Sequence, residues 1–570
     1  MTIVWSDQKL GFLSCAEHAL ALGGPGSGKT HVALIKARDE IRSGALKPGQ
    51  KILFLSFARA TVARIVDKAS ELISREDLKW LEVNTYHGFA WSILRSHAYL
   101  LNGKSVLRLL PPPEAAAHLT DIHKDGHEAE KKRLFEEEGI LHFDLFARLA
   151  GELFRRSGRL AHIFCDSYPI IILDEFQDTN IDEWTLLRHL GMRSRLIALA
   201  DPNQRIYEFR GADPRRVGEF LGVFQARQFD FAGENHRSYG TDIAAYGNDL
   251  LTGANKGRNY QQVKVTRYGF QYRKSMHFSA KAAVCTALAR LRNVPDKSIA
   301  ILVPSKRLML DLSDYLSSTA DGLPELHHDV AMDAEPPALA ASVISTLLEG
   351  GGGSDVASRM LSALHSHIRG RRGSKPTPQA ELDLAGALSG FMTTGKVRGA
   401  KRLLLITEVQ RISAERQLLL LTGNPAVDWL HLRNLLESSS ADALKQVATD
   451  ARYLRLLHRG SVLRTNLGGL WRAQGNYHGA EEVVRSALMQ EHFAATQRDW
   501  RGIHLMTIHK SKGKEFDEVI IYDGQFQRIA RKPEDEKAYA QDLLALRVGV
   551  TRAIRRTTIL TPTREPCPFL

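Results

Sequence analysis

Gly23, Gly28, Lys29 and Thr30 stand in the spacing GxxxxGK[ST], inside the run Leu22-Gly23-Gly24-Pro25-Gly26-Ser27-Gly28-Lys29-Thr30. Glycines at Gly23, Gly26 and Gly28 let a backbone curl until successive N–H groups point inward, a shape that takes phosphate oxygens. A lysine closing such a loop reaches the β- and γ-phosphates, and the next hydroxyl, here Thr30, ligates Mg²⁺. A second group, Asp174-Glu175-Phe176-Gln177-Asp178, sets two acids side by side after an apolar run. In a nucleoside triphosphate site one such acid supports the metal shell, and the other takes a proton from the attacking water. Together the two groups predict a nucleoside triphosphate site.

Chemistry at these positions requires particular elements beneath it. Cys15 to Leu22 is apolar enough for a short buried strand. His31 to Ala37 has helical spacing, so the loop should open a helix whose N-terminus favours anions. Pro169-Ile170-Ile171-Ile172-Leu173 reads as a buried strand that delivers Asp174 and Glu175 at its C-terminal edge. Further strand patterns at 51–57, 195–200 and 298–304 alternate with helical ones. That alternation predicts an α/β fold with parallel sheets flanked by helices. Residues 98–162 read as mainly helical, with charge runs that belong on solvated faces. By composition Glu349-Gly350-Gly351-Gly352-Gly353-Ser354 is a flexible hinge. The basic run from His365 to Lys375 is either a phosphate contact or a solvated loop.

Composition narrows the class. At 570 residues the chain exceeds a single core and several domains are expected. A net charge of +13 suits a polyanionic partner. Cys15, Cys165, Cys285 and Cys567 lie far apart without a CxxC pair, which argues against a disulfide framework or zinc ribbon. The chain shows neither an apolar run of membrane-spanning length nor a signal-peptide pattern, so a cytoplasmic enzyme is expected.

The ordered runs GGPGSGKT, LSFARA, NTYHGFA, DEFQDTN and ADPNQRIYEFRGA resemble the UvrD/Rep/PcrA family of superfamily 1A DNA helicases. Glu234-Asn235-His236-Arg237-Ser238, Ile503–Phe516 and Val548-Gly549-Val550-Thr551-Arg552-Ala553 resemble that family's later motifs. The resemblance implies two RecA-like domains of the P-loop NTPase class, each with a mainly helical insertion. Domain 1A would hold 1–97 and 163–237, interrupted by 1B at 98–162. Domain 2A would hold 238–349 and 500–570, interrupted by 2B at 350–499. No nuclease domain is expected after the last motif.

By the same resemblance ATP and Mg²⁺ are the cofactors, bound between 1A and 2A. Gln8 would read adenine, with His31 and His236 around the base and Glu515 on the ribose. Lys29 and Thr30 would hold phosphate and metal, Asp174 would support the metal, and Glu175 would activate water. Gln204 would sense the γ-phosphate, with Arg237 and Arg552 as arginine fingers. Phe57, Tyr207, Phe209 and Arg210 match positions that stack on or pocket the bases of single-stranded DNA. Thr85, His87, Thr507, His509 and Lys512 match positions on its backbone.

Departures from the family pattern are local. Phe209 stands where tryptophan is usual, and His31 and His236 stand for arginine and tyrosine. Lys510 and Lys514 replace neutral residues, and Arg547 replaces the aromatic that commonly precedes a VGVTRA-type run. The resemblance implies a 3′→5′ DNA helicase or translocase acting on single-stranded and tailed duplex DNA. The alternative is a DNA-stimulated ATPase subunit serving a separate nuclease in repair or phage defence, with little unwinding alone. A non-motor DNA scaffold is opposed by the intact Lys29, Glu175, Arg237 and Arg552.

Overall fold

Short runs of isoleucine, leucine and valine without polar alternation form strands buried on both faces, which is the condition for a parallel sheet. The computed structural model describes residues 5–570 apart from 58, 105–106, 111, 120–121, 123–125, 205–212, 214, 232–237, 270–273, 332–334, 372–376, 452–461, 494–499 and 531–535. In chain order the strands are β1 (Ala19–Leu22), β2 (Ile52–Ser56), β3 (Leu81–Thr85), β4 (Arg108–Leu110), β5 (Ile140–His142), β6 (Ile170–Leu173) and β7 (Arg195–Ala200). They continue with β8 (Arg227–Asp230), β9 (Val263–Tyr268), β10 (Ser298–Val303), β11 (Asp329–Ala331), β12 (Gly502–Thr507), β13 (Phe516–Tyr522) and β14 (Ala553–Pro562). The chain divides into two compact units. One comprises Met1–Leu94, Ala147–Ala331 and Ala495–Leu570, the other Arg95–Phe146 and Met332–Ala494.

The first unit holds two lobes, each built on a six-stranded sheet. The first sheet has the order β3-β2-β6-β7-β1-β8 and the second β11-β12-β10-β13-β14-β9. Every pairing in both is parallel. Phe12, Phe54, Ile172 and Leu199 pack the first lobe, and Leu302, Phe516, Ile521 and Leu546 pack the second. In the first sheet Leu22 pairs with Ala200 and Leu55 with Leu173. The phosphate loop, Asp174 and Asp201 therefore leave neighbouring strands at one C-terminal edge, where open α/β sheets bind ligands. The second sheet contributes its opposite edge. Phe516 pairs with Ala553, so Glu515 and Arg552 stand together just ahead of β13 and β14.

The second unit is mainly helical, with the short β4–β5 pair. Its core of Leu347, Met360, Leu364, Val409, Leu432 and Val447 joins helices Glu335–Glu349, Gly353–Gly370, Ala400–Leu418, Pro425–Glu437 and Asp442–Ala451. Two sequence expectations change here. The glycine run at 350–352 is a turn between packed helices rather than a flexible hinge. Gly350 and Gly351 have φ of 71° and 129°, and Arg359 holds the Gly350 carbonyl. Arg416 donates to the Leu347 and Leu348 carbonyls just before the turn. The described part of the basic run is likewise not a solvated loop. It closes the helix Gly353–Gly370, with His367 buried and 2.9 Å from an Asp450 carboxylate oxygen.

Candidate nucleotide site between the two lobes

Loop 23–28 turns through two left-handed glycines, Gly26 (φ 78°) and Gly28 (φ 85°), conformations that cost glycine little. A Cβ on Gly23 would lie 2.5 Å from Ser27 Oγ and 3.2 Å from the Phe231 side chain, so that position has no room for one. The helix Lys29–Arg42 starts at once, capped by Gly28 without a side-chain bond. Its first amides therefore keep their donors for an anion. The Lys29 ammonium donates to the Gly23 and Gly24 carbonyls.

This loop lines a cavity of about 460 Å³ shared by the two lobes. Lys29, Thr30, His31, Asp174, Glu175 and Gln204 line it from the first lobe, and Gly513, Glu515 and Arg552 from the second. Arg64 Nη1 donates to Glu515 Oε1 at 2.7 Å, joining the lobes at the rim.

Glu175 has φ 54° and ψ 35°, a left-handed conformation that an acid adopts only when its surroundings impose it. Gln177 Nε2 donates to Glu175 Oε2 at 2.6 Å, and Gln177 Oε1 accepts the Asp201 amide at 3.0 Å. Asp201 Oδ2 accepts from Gln204 Nε2 at 2.7 Å, and Gln204 Oε1 accepts from Arg552 Nη2 at 3.1 Å. A continuous hydrogen-bonded chain thus runs from the acid to the arginine of the other lobe. Burial alone would raise the Glu175 carboxyl. The cations Lys512, Lys29 and Arg552, with the Gln177 bond, outweigh burial and hold it below the ordinary carboxylate range. Asp174 goes the other way, pushed up to about 6 by burial and by the neighbouring Glu175 charge.

The hard-oxygen donors fit Mg²⁺. Asp174 Oδ2 accepts a long bond, 3.3 Å from Ser56 Oγ. Among the described residues Ser27 Oγ is buried without a hydrogen-bond partner, and Thr30 lines the same cavity.

Several expected residues stand elsewhere. Gln8 does not line the cavity; its Oε1 accepts the Asp230 amide at 3.1 Å, which occupies the atom that would take the adenine amine. Trp5, three residues before it, and Lys9, the next residue, line the cavity instead. The Trp5 ring lies 6.3 Å from His31 at 20°, so a planar base has aromatic walls there. Lys512, expected on the DNA backbone, is buried and paired with Asp178, and it also donates to the Gln204 carbonyl at 2.6 Å. An ammonium held by a carboxylate and a carbonyl inside the protein has no reach left for a phosphate.

The remaining DNA candidates occupy strand ends. Phe57 follows β2 and stacks on Tyr86 at 4.5 Å, and Thr85 ends β3 with its Oγ1 accepting the Gly88 amide at 2.9 Å. His87 follows in the helix Tyr86–His97. Thr507 ends β12, and His509 follows it exposed. Tyr207, Phe209, Arg210, His236 and Arg237 lie outside the described residues. The sequence reading missed Trp5, Arg64, Gln177, Asp178, Asp201 and Arg547 as parts of this network. Arg547 alone carried a signal, as a cation in an apolar helix where an aromatic is usual.

Two parallel-sheet lobes with a phosphate loop at one edge define a P-loop protein of the RecA-like, two-lobed class. Residues 6–140 and 127–225 match the family model described as the UvrD/REP helicase N-terminal domain. It is 23% identical over 269 residues to the ATP-dependent DNA helicase Rep of Salmonella typhimurium, a match covering 40% of each chain. It is 25% identical over 283 residues to DNA helicase II of Escherichia coli, covering 42% of this chain and 39% of that one. A probable DNA helicase II homolog of Rickettsia conorii is 21% identical over 627 residues, covering 96% of this chain and 90% of the relative. The matched region therefore spans about 40% of the Rep and helicase II relatives, and most of the Rickettsia one. No described helix is long and apolar enough to cross a membrane.

Proposed function

We propose that the chain is an ATP-dependent DNA helicase that moves 3′→5′ on single-stranded DNA as ATP closes its two RecA-like lobes. The carrying observation is the hydrogen bond from Arg552 in one lobe to Gln204 in the other, across a cavity lined by the phosphate loop. Loop amides and Lys29 bind the triphosphate. Glu175, kept ionised by the surrounding cations, takes the proton of the attacking water. Arg552 neutralises charge developing on the γ-phosphate, and Arg237 is assigned the same role by resemblance. Thr30 and Asp174 would hold Mg²⁺, which would screen the phosphate charges. Gln204 belongs to the segment that continues into Tyr207, Phe209 and Arg210, so a change at the γ-phosphate is passed to the residues assigned to base stacking.

A second reading has one specific support. Over 110 residues, 19% of this chain and 9% of the relative, the sequence is 34% identical to the RecBCD enzyme subunit RecB of Buchnera aphidicola. On this reading the chain is a DNA-stimulated ATPase that unwinds only with another subunit, such as a nuclease. Strand displacement of 3′- and 5′-tailed duplexes by the purified chain, with ATP turnover measured alongside, separates the two. Displacement from the 3′ tail is the expected result. Turnover without displacement favours the subunit, and displacement from the 5′ tail alone overturns the polarity.

A further inference from the structure

Arg547 is an arginine in the helix Glu536–Val550 of the second lobe, flanked by Leu546, Val548 and Val550, and it is 2% exposed. Its guanidinium leaves that lobe. Nη1 donates to the Asn203 carbonyl of the first lobe at 3.1 Å and stands 3.8 Å from Asp201 Oδ2. Nη2 donates to Asn248 Oδ1 at 3.0 Å, on the helix Ile243–Thr252 of its own lobe. Among the described residues its buried Nε has no acceptor.

A buried arginine with an unused N–H is a costly way to glue two surfaces, since an apolar side chain of similar volume would serve stability as well or better. Position explains it. Asp201 is the node of the chain described above. Its amide is held by Gln177, which holds Glu175, and its carboxylate orients the Gln204 amide toward Arg552. Asp201 is itself buried, and Arg547 brings a cation to the carboxylate oxygen that holds Gln204. Asn248 and the Asn203 carbonyl grip the two prongs of the guanidinium and fix its plane. A point charge could not be fixed in that way.

We infer that Arg547 is a positioning residue for ATP hydrolysis. It clamps Asp201 from the second lobe, so that Gln204 and Glu175 reach their working geometry only while the lobes are in contact. This inference rests on the nucleotide-hydrolysing reading proposed above and adds a residue that the reading does not use. It separates two kinds of lobe contact. Arg552 addresses the nucleotide, whereas Arg547 addresses the protein groups that address the nucleotide.

The test compares wild type, Arg547→Met, Arg547→Lys, Asp201→Asn and the Arg547→Met/Asp201→Asn double variant in the full chain. Turnover is measured at saturating single-stranded DNA, nucleotide affinity with a fluorescent ATP analogue, and folding by thermal melting. Arg547→Met is expected to lower kcat about 10- to 100-fold, the scale of a small misplacement of a catalytic group, with affinity within about twofold of wild type. Arg547→Lys keeps the charge and loses the fork, so it should recover only part of kcat. The double variant should be little slower than the slower single variant, because both break one link. Wild-type kcat in Arg547→Met, or a loss carried entirely by affinity or by melting temperature, overturns the inference. A wild-type chain that hydrolyses no ATP in the presence of DNA overturns the proposed function, and this inference with it.

Discussion

The two acids after β6 show how neighbours with one chemistry receive different roles. Asp174 is pushed up by burial and by Glu175, and so gains most from a metal cation. Glu175, ringed by Lys512, Lys29 and Arg552, stays ionised and able to accept a proton. Replacing Glu175 with Gln keeps the Gln177 contact and removes the base. Turnover should fall by about 100-fold or more while ATP binding persists. Lys29→Ala should instead weaken ATP binding, because the ammonium contacts ground-state phosphates as well as the transition state. Titrating a fluorescent ATP analogue into both variants checks the split, and near-normal turnover in Glu175→Gln would remove it from the base role.

At the scale of elements, the segment 508–515 links β12 to β13 and meets the first lobe through Lys512, Gly513 and Glu515. Gly513 has φ 78°, and a Cβ there would lie 2.5 Å from Thr61 Oγ1. Gly513→Ala should therefore push the lobes apart and lower kcat several-fold. Adding Thr61→Ala should restore part of it, leaving the left-handed strain of about 1–2 kcal/mol. Equal kinetics in the single and double variants would show that the Thr61 contact does not govern closure. In the second unit Glu408 ties the helix Ala400–Leu418 to the turn between Pro425–Glu437 and Asp442–Ala451. It accepts from Arg411, from Ser439 Oγ at 2.7 Å and from the Ser440 amide at 2.8 Å. Those bonds hold its carboxyl at about 2, below the ordinary 4.5. A depressed acid contributes stability above about pH 4.5 and loses it as pH falls toward 2. Glu408→Gln should cost about 1–3 kcal/mol at pH 7. Denaturant melts of the two proteins should converge as pH falls from about 4.5 to about 2, and a gap that stays constant counts against the assignment.

For the whole molecule, net charge +13 predicts that single-stranded DNA binding is driven by counterion release. The slope of log K against log salt should be about −0.7 per neutralised phosphate, so a footprint of about six phosphates gives about −4. Fluorescence anisotropy of a labelled oligonucleotide between about 50 and 200 mM salt measures it. A slope near zero would mean that the surplus charge lies away from the DNA path. Lys512→Met should leave this slope unchanged while lowering turnover, because its ammonium is spent inside the protein on Asp178 and Gln204.

What the sequence alone determined is local. GxxxxGK[ST] needs only consecutive residues to curl a loop, and the apolar runs 52–55 and 170–173 must be buried on both faces, so parallel sheets and a triphosphate site were legible from spacing. The hinge at 350–352 and the phosphate-facing role of Lys512 were misread because composition does not reveal what packs against a segment. Arg359 and Arg416 lie 9 and 66 residues from Gly350, and Asp178 lies 334 residues from Lys512. Only tertiary structure sets the C-terminal edge of one sheet against the N-terminal edge of the other. That juxtaposition joins Glu175, Gln177, Asp201, Gln204 and Arg552 into one chain, and it turns Arg547 from an unexplained substitution into a clamp. The physical reason is that a side chain's charge is written in the sequence, whereas the group that neutralises it is chosen by the fold.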